Sequence, residues 1–554
     1  MSEPSEQRVG TGLRSENWKG QRMNWTSGYV AEIDYTYGYY RELQPGLIDY
    51  ALLLAGQKPI RTLTESEPLH YLELGYGQGL SLNIHAAAST GRFWGTDFNP
   101  SQAAGAAEMA QSCGSNLKLL DASFEELALR DDLPVFDVIA LHGIWSWISE
   151  INRNHIVEII KRHLRPGGVV YISYNCTPGW SAAMPLRHLL SLHAELAEGD
   201  AKGIVGKIDG ALAFAKQVVD SGAQFFKANP AVAERLKKIA EQNRNYLAHE
   251  YFNADWHPMP FSDLAAWLEQ AKLGFAASAH LLDHVEAIHL PESGAKMLTD
   301  QRHPVLRETL RDYLVNQQFR RDLFVRGPRR LAGLERMDAL RSLPLVLLTA
   351  PKDISMKVQG ALGEASLQES IYRPLIEIME QQVVASNEGV LDAWVGISVA
   401  DIEQGLKQAT SSMSFPQLLQ AITVLLGQGH LAVAQAEHTQ QAVQARCDRL
   451  NMWIANRSRE HSDIQFMASP VTGGGVVVSR FEQLFLLAKV HDLKEPSDQA
   501  RWVWDLLQRQ GQRLLKDGKA IESADENLAE LVRQAKQFAD DREKRLKYLK
   551  IKLG

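Results

Sequence analysis

The chain is poor in cysteine: Cys113, Cys176 and Cys447 are the only three in 554 residues, widely spaced and odd in number. That excludes a disulfide-stapled fold and a C-x-x-C zinc or redox site, and it fits a reducing compartment, the cytoplasm. Long apolar runs are missing as well. No stretch approaches the roughly 18 apolar residues of a membrane span, and Met1-Ser-Glu-Pro-Ser-Glu lacks the basic and apolar regions of a signal peptide. No membrane insertion is expected. Positive charge is not in excess either, since 59 Lys and Arg face 66 Asp and Glu for a formal charge of -7. Without a global basic field, nucleic acid is not an expected partner. His249, Glu250, Trp256 and His257 bring polar and aromatic groups together, which suits a substrate pocket, but no HExxH-like spacing occurs and no metal is expected.

What is present is the composition of a folded protein, 45% hydrophobic and 23% charged, in a chain too long for one core. Residues 1–25 are polar and read as a flexible arm. From Leu69 a buried strand, LHYLELG, runs into Gly75-Tyr76-Gly77-Gln78-Gly79 and then an apolar-periodic helix from Leu80. Strand and helix keep alternating through Arg92–Phe98, Ser101–Cys113, Leu117–Ala122, Phe136–Leu141, Asn154–Leu164 and Val169–Tyr174. Five such strands predict an α/β fold with a parallel, Rossmann-like sheet covered on both faces. A helical insertion is expected over about 183–248, followed by a closing hairpin from FAASAHLL and VEAIHLP, which ends this domain (26–292) near Pro291.

Beyond residue 300 the pattern is mostly helical: a connecting region over 300–365, a C-terminal domain over 366–480 and a helical tail over 481–554. Ser414–Ala434 sets Leu418, Leu419, Ile422, Leu425 and Leu426 on one helical face before Gly427 and Gly429, compatible with a winged helix or with a generic helical domain. Residues 415–434 contain no Lys or Arg, so the electrostatic attraction that dominates DNA binding is missing there. Gly473-Gly474-Gly475 reads as a turn more readily than as an anion site.

The glycine loop carries the chemistry. Its glycines allow a tight strand-to-helix turn and close approach of a nucleotide-like ligand to the backbone. A dinucleotide fingerprint would need glycine at position 80, which is Leu80, and Glu73 at the strand end would repel a pyrophosphate while facing the ammonium or sulfonium of S-adenosylmethionine. Asp97 ends the second strand, where it can accept from both ribose hydroxyls. Asp121 ends the third, where it can accept from an adenine amine, with Phe98 and Ala122 flanking the ring.

In order and spacing, ELGYGQG, GTDFNP, LLDAS, FDVIALHG and LRPGGVVYIS resemble the successive motifs of class I S-adenosylmethionine-dependent methyltransferases over residues 69–175. The flanking YTYGYYRELQP, YNCTPGW, YLAHEYFNADWHPMPFSD and ASPVTGGG resemble bacterial methyltransferases with a methyltransferase regulatory domain, some of which methylate lysines of outer-membrane proteins. The resemblance implies S-adenosylmethionine as cofactor, with adenosine contacts at Asp97, Asp121 and their neighbours and the methionine end at Gly75, Gly77, Gly79 and Glu73. Tyr76 departs from the usual small residue, so its ring must turn away from the cofactor or close over it. The acceptor implied is a protein lysine. A small-molecule acceptor and a non-catalytic cofactor-binding regulator remain open alternatives at the level of sequence.

Methyl transfer is an in-line displacement that depends on positioning, so an acid or base is not obligatory. Candidates at the carboxyl edge for contact with cofactor or substrate are His142, past the fourth strand, which is read as both a cofactor-binding and a catalytic residue, and Tyr174 with Asn175, ending the fifth. Tyr29, Tyr35, Tyr37, Tyr39 and Tyr40 form either a lid over the sulfonium or a packed N-terminal segment, with Tyr37 the candidate that touches the reacting groups. Trp145, Trp147 and Trp180 carry the same two readings, pocket or core.

Overall fold

The computed structural model describes residues 36–60, 68–197, 203–387, 395–409, 413–516 and 518–553; the arm read over 1–25, Tyr29 and Tyr35 fall outside them. Short, largely apolar runs, most of them buried on both faces, make five strands, β1 (His70–Leu74), β2 (Arg92–Asp97), β3 (Leu117–Asp121), β4 (Phe136–Leu141) and β5 (Leu164–Asn175). All five are parallel neighbours, and β6 (Leu273–Ser278) and β7 (Phe319–Arg326) complete a seven-stranded sheet in the order β3-β2-β1-β4-β5-β7-β6. Only β7 runs antiparallel to its two neighbours.

Alternation divides the sheet into two faces. Tyr71, Val138, Ala140 and Tyr171 pack with helices α1 (Pro45–Leu54), α2 (Leu80–Ala88) and α3 (Pro100–Cys113). On the other face Leu72, Ile139, Ile172 and Tyr174 pack with α4 (Phe124–Ala128) and α5 (Glu150–His163). Helix starts follow local capping: Asn99 accepts from Ser101 and Gln102 N-H groups ahead of α3, and Ser123 forms a capping box with Glu126 at α4. The insertion is a bundle of helices from Met184 to Tyr251 with its own apolar core around Trp180, Leu190, Leu212 and Leu236.

Two expectations about order along the chain are corrected. The stretch 285–291 is not a strand: Glu286–Ile288 is a 3-10 turn, and the sheet closes with β7 at residue 326 rather than near Pro291. The region 300–365 is accordingly not a helical connector, since it holds β7 and the strands Pro344–Leu347, Lys357–Gly360 and Gly363–Ser366. The physical reason is visible in FRRDLFVR. Arg320 and Asp322 occupy buried positions that alternation expects to be apolar, and they are admitted because Arg320 Nη2, Nη1 and Nε meet Glu308 at 3.0 Å, Asp312 at 2.6 Å and Asp322 at 2.7 Å.

The apolar core over α1–α3 continues without a break into the C-terminal half. Helix Glu437–Arg457 lies on α2 and α3 and closes their C-terminal ends. Arg446 Nη2 donates to the Ser89 carbonyl and Arg449 Nη2 to the Cys113 carbonyl, each at 2.7 Å, where a cation also suits the helix dipole. The elements Glu369–Asn387, Ile397–Ser398, Val399–Gln408, Phe415–Gln428 and Leu431–Val433 follow the helix-strand-helix-helix-strand order of a winged helix, with Pro344–Leu347 between the two strands. Phe415–Gln428, the helix a DNA reader would expose, is buried instead: Thr423 Oγ1 hydrogen-bonds the Tyr50 hydroxyl of α1 at 2.7 Å, and Gly427 abuts Leu282. Gly473–Gly475 form the turn and start of a hairpin (Phe466–Ser469 with Gly474–Val477) against Tyr39, which matches the turn reading.

Candidate active site

At the carboxyl edge of β1 the chain must turn at once into α2, and Gly75, Gly77 and Gly79 all adopt left-handed φ, 72°, 58° and 72°. A Cβ on Gly79 would lie 2.7 Å from Ala106 Cβ, so the loop also lets α2 and α3 approach closely. Gly77 N donates to Asp97 Oδ2 at 2.8 Å and Asn99 N to Asp97 Oδ1 at 3.0 Å. Asp97 thereby latches the glycine loop to β2 and retains lone pairs for a ligand. Tyr76 turns its ring onto Gly95 of β2, where a Cβ would come within 2.7 Å of the ring. The glycine in GTDFNP makes room for that ring, a pairing the sequence reading missed although a glycine inside a strand is its usual signal.

Three carboxylates gather here, and none of Glu73, Asp97 and Asp121 has an ion-pair partner among the described residues. Glu73 is buried with Oε2 lacking any hydrogen-bond partner, and burial, helped by the Asp97 charge, pushes its carboxyl up to about 8. Asp97 is raised to about 6, chiefly by burial, with the Asp121 charge adding to the shift. Asp121 is exposed at the end of β3, and Phe98 and Ala122 beside it are half-buried. The Ala122 N-H donates to the Asp97 carbonyl at 3.1 Å, which fixes the two strand ends together. An acidic, partly orphaned cradle at a glycine loop fits a ligand with positive charge and hydroxyl groups, and opposes a pyrophosphate.

The other half of the edge is aromatic. His142 Nδ1 lies 2.8 Å from the Tyr171 hydroxyl, the Tyr40 ring stacks on it at 3.9 Å, and Phe319 meets it edge-on at 6.1 Å. Burial lowers its pKa to about 4, so the imidazole is neutral at physiological pH. Beside it, a Cβ on Gly143 would meet nothing within 4 Å, so this space is open among the described residues. Tyr171, Glu42 and Arg321, which shape this corner, were not foreseen; in sequence they read as an ordinary strand residue and two ordinary charges.

Other candidates lie elsewhere. Tyr174 is fully buried on the opposite face, donating to Asp322 Oδ2 at 3.0 Å, because period-two alternation puts it on the other side of the sheet from Tyr171. The reading of Tyr174 as a group that meets substrate is corrected on that ground. Asn175 Oδ1 accepts from Trp180 Nε1 at 3.2 Å, fixing a wall in which Trp180 meets Trp256 at 5.0 Å and Trp147 meets Trp256 at 6.1 Å. Trp145 is core. Tyr37 sits under Arg457, 5.0 Å from ring centre to guanidinium, and its hydroxyl and Gln78 Oε1 both lie beside Gly105 of α3.

A methyltransferase domain model matches residues 72–168, β1 through β5, and a predicted methyltransferase regulatory domain model matches 243–326. The protein sll1526 of Synechocystis is 38% identical over 522 residues, covering 94% of this chain and 98% of that protein. The chain belongs to the class I S-adenosylmethionine-dependent methyltransferases with a regulatory domain. RP789 of Rickettsia prowazekii is 23% identical over 294 residues, 52% of this chain and 51% of that protein. Among solved structures, PKMT2 from Rickettsia typhi in complex with AdoHcy superposes with a TM-score of 0.63 at 16% identity, covering 93% of this chain and 99% of that one, which shows a shared fold throughout.

In this methyltransferase the regulatory segment is part of the sheet. Residues 243–326 supply β6 and β7 along with helix Arg244–Tyr251, which lies over the aromatic wall. No group of residues able to hold a metal ion occurs among the described residues, and no described helix is long and apolar enough to cross a membrane.

Proposed function

We propose that this methyltransferase acts in the cytoplasm on a protein and methylates a lysine side-chain amine. One observation carries the reading: the carboxyl edge pairs uncompensated carboxylates on the β1–β3 side with a neutral, aromatic-walled histidine on the β4–β5 side. When bound, S-adenosylmethionine supplies a sulfonium methyl whose departure leaves the bonding electrons on sulfur. Glu73 would face its cationic end, Asp97 its ribose hydroxyls and Asp121 its adenine amine, with Phe98 and Ala122 flanking the ring and Gly75 to Gly79 allowing close approach.

A neutral His142 adds no positive charge against an incoming lysine, and the electron-rich face of Tyr40 attracts its ammonium form, which loses a proton to solvent before the neutral amine attacks. Holding that amine in line within about 3 to 3.5 Å of the methyl is the main requirement. The likeness over nearly the whole chain to PKMT2 of Rickettsia typhi, whose structure holds AdoHcy, supports the cofactor. The resemblance of the flanking motifs to methyltransferases of outer-membrane-protein lysines supports the acceptor class, and three buried free cysteines suit a reducing compartment. The region after β7 is read as the part that selects the acceptor. The test is incubation with methyl-labelled cofactor and a bacterial lysate, followed by mass spectrometry of labelled material. Label on protein lysine is expected; label confined to small molecules would overturn the reading.

A further inference from the structure

The helix Arg244–Tyr251 carries Tyr246 and Glu250 four residues apart, on one face. Tyr246 is exposed and Glu250 half-buried. The phenol of Tyr246 lies within electrostatic reach of Glu250, Tyr251, Arg235 and Tyr40, which puts it in the neighbourhood of the ring that stacks on His142. Among the described residues Glu250 makes no hydrogen bond or ion pair.

Arg187, whose charge acts on Glu250, and Arg235, whose charge acts on Tyr246, are both engaged on other groups. Arg187, on helix Met184–Leu196, stacks 4.7 Å over Trp256 and 5.8 Å over Trp147, and its Nη2 donates to the Asn253 carbonyl at 2.6 Å. It acts on Glu250 through space without closing on it. Arg235, on helix Pro230–Ala240, stacks 3.9 Å over Trp180 and donates to the Tyr251 hydroxyl at 3.4 Å and to Gln318 Oε1 at 3.3 Å. A carboxyl shielded by protein, beside one arginine engaged on two tryptophans and a carbonyl, has room for a cation from outside the fold. The burial of Glu250, which pushes its carboxyl up to about 7 against the pull of Arg187, describes the same shortage. Two donors in the wall, Arg187 Nε and Trp256 Nε1, are also buried without partners, as suits a pocket that receives backbone carbonyls.

We propose that Glu250 and Tyr246 form the subsite that takes the cationic end of the methyl acceptor, a lysine ammonium on an extended segment, which gives up a proton to solvent before the neutral amine reaches the Tyr40–His142 stack. This rests on the lysine reading above. Glu250 is a binding and specificity residue here, so its loss weakens acceptor capture more than turnover.

The experiment uses the full-length protein, S-adenosylmethionine and poly-L-lysine as acceptor, comparing wild type with Glu250→Gln and Glu250→Asp. Expected are methylation by wild type, a KM for poly-L-lysine raised about tenfold or more in Glu250→Gln, kcat within about threefold, and partial recovery in Glu250→Asp. Affinity for S-adenosylhomocysteine, measured by calorimetry, should be unchanged in both variants. Methylation by wild type with an unaltered KM in Glu250→Gln would overturn the subsite and leave the lysine reading standing. Absence of transfer from wild type to poly-L-lysine would overturn the lysine reading and the subsite with it. Loss of S-adenosylhomocysteine binding in both variants would assign Glu250 a structural role and overturn the subsite.

Discussion

At the scale of single residues, burial decides the protonation of the cofactor cradle. Glu73 holds its proton up to about pH 8 when the site is free, and a sulfonium or ammonium beside it favours the ionised form. Cofactor binding near neutral pH should therefore release a proton, and affinity should rise with pH until about 8. Calorimetry in buffers of different ionisation enthalpy reads this directly; no buffer dependence in wild type, or the same release in Glu73→Gln, would sink the assignment. In the absence of cofactor the sign for stability is opposite. A carboxyl with folded pKa raised from 4.5 to about 8 contributes fully below 4.5, and that contribution is lost as pH rises toward 8. Asp97 has a double duty, since its two oxygens already receive Gly77 and Asn99 N-H groups. Asp97→Ala should weaken cofactor binding by about 1.5 to 3 kcal/mol while leaving the far-ultraviolet spectrum unchanged, because it removes a charged acceptor and loosens the loop without touching the sheet core. Unaltered affinity would reduce Asp97 to a turn residue.

At the scale of elements, β7 is where local pattern and tertiary fold part company. Its buried side chains include Arg320 and Asp322, joined by Glu308 and Asp312 from helix Pro304–Val315, so one guanidinium serves three carboxylates. Burial still leaves Asp312 raised to about 7 despite the pull of Arg320. Removing the cation strands the acids, and Arg320→Met is expected to cost about 3 to 5 kcal/mol of stability. Since the raised carboxylates must then ionise without a partner, the loss should grow as pH rises through 7. Urea unfolding monitored at pH 6 and pH 8 tests this, and an unchanged midpoint at both would show that the network is dispensable. The five parallel strands, by contrast, were legible from periodicity because their buried positions are apolar, as in Tyr71, Leu72, Ile139 and Val170.

For the whole molecule, the C-terminal half is bound into the cofactor domain. All nine residues of α2 are buried, since its far side meets helix Glu437–Arg457 and the hairpin Phe466–Val477. Tyr39 lies between His85 of α2 and Phe466, at 5.4 Å and 5.0 Å, while the adjacent Tyr40 reaches His142. A chain ending at residue 295 lacks β7 and should be insoluble, and one ending at 332 keeps seven strands but exposes α2 and α3. Both should lose at least about tenfold in cofactor affinity by calorimetry, or fail to fold. A soluble 1–332 fragment with full affinity would instead show that the cofactor domain stands alone. By itself the sequence determined what depends on neighbours within a few residues: parallel strands from alternation, the turn from Gly75, Gly77 and Gly79, and acids at the ends of β1, β2 and β3. Tertiary structure alone decided the place of β7, the stacking of Tyr40 on His142, the face on which Tyr174 points and the protonation of Glu73. Each of these depends on groups far apart in sequence and on the water that their packing excludes, and neither is encoded in local spacing.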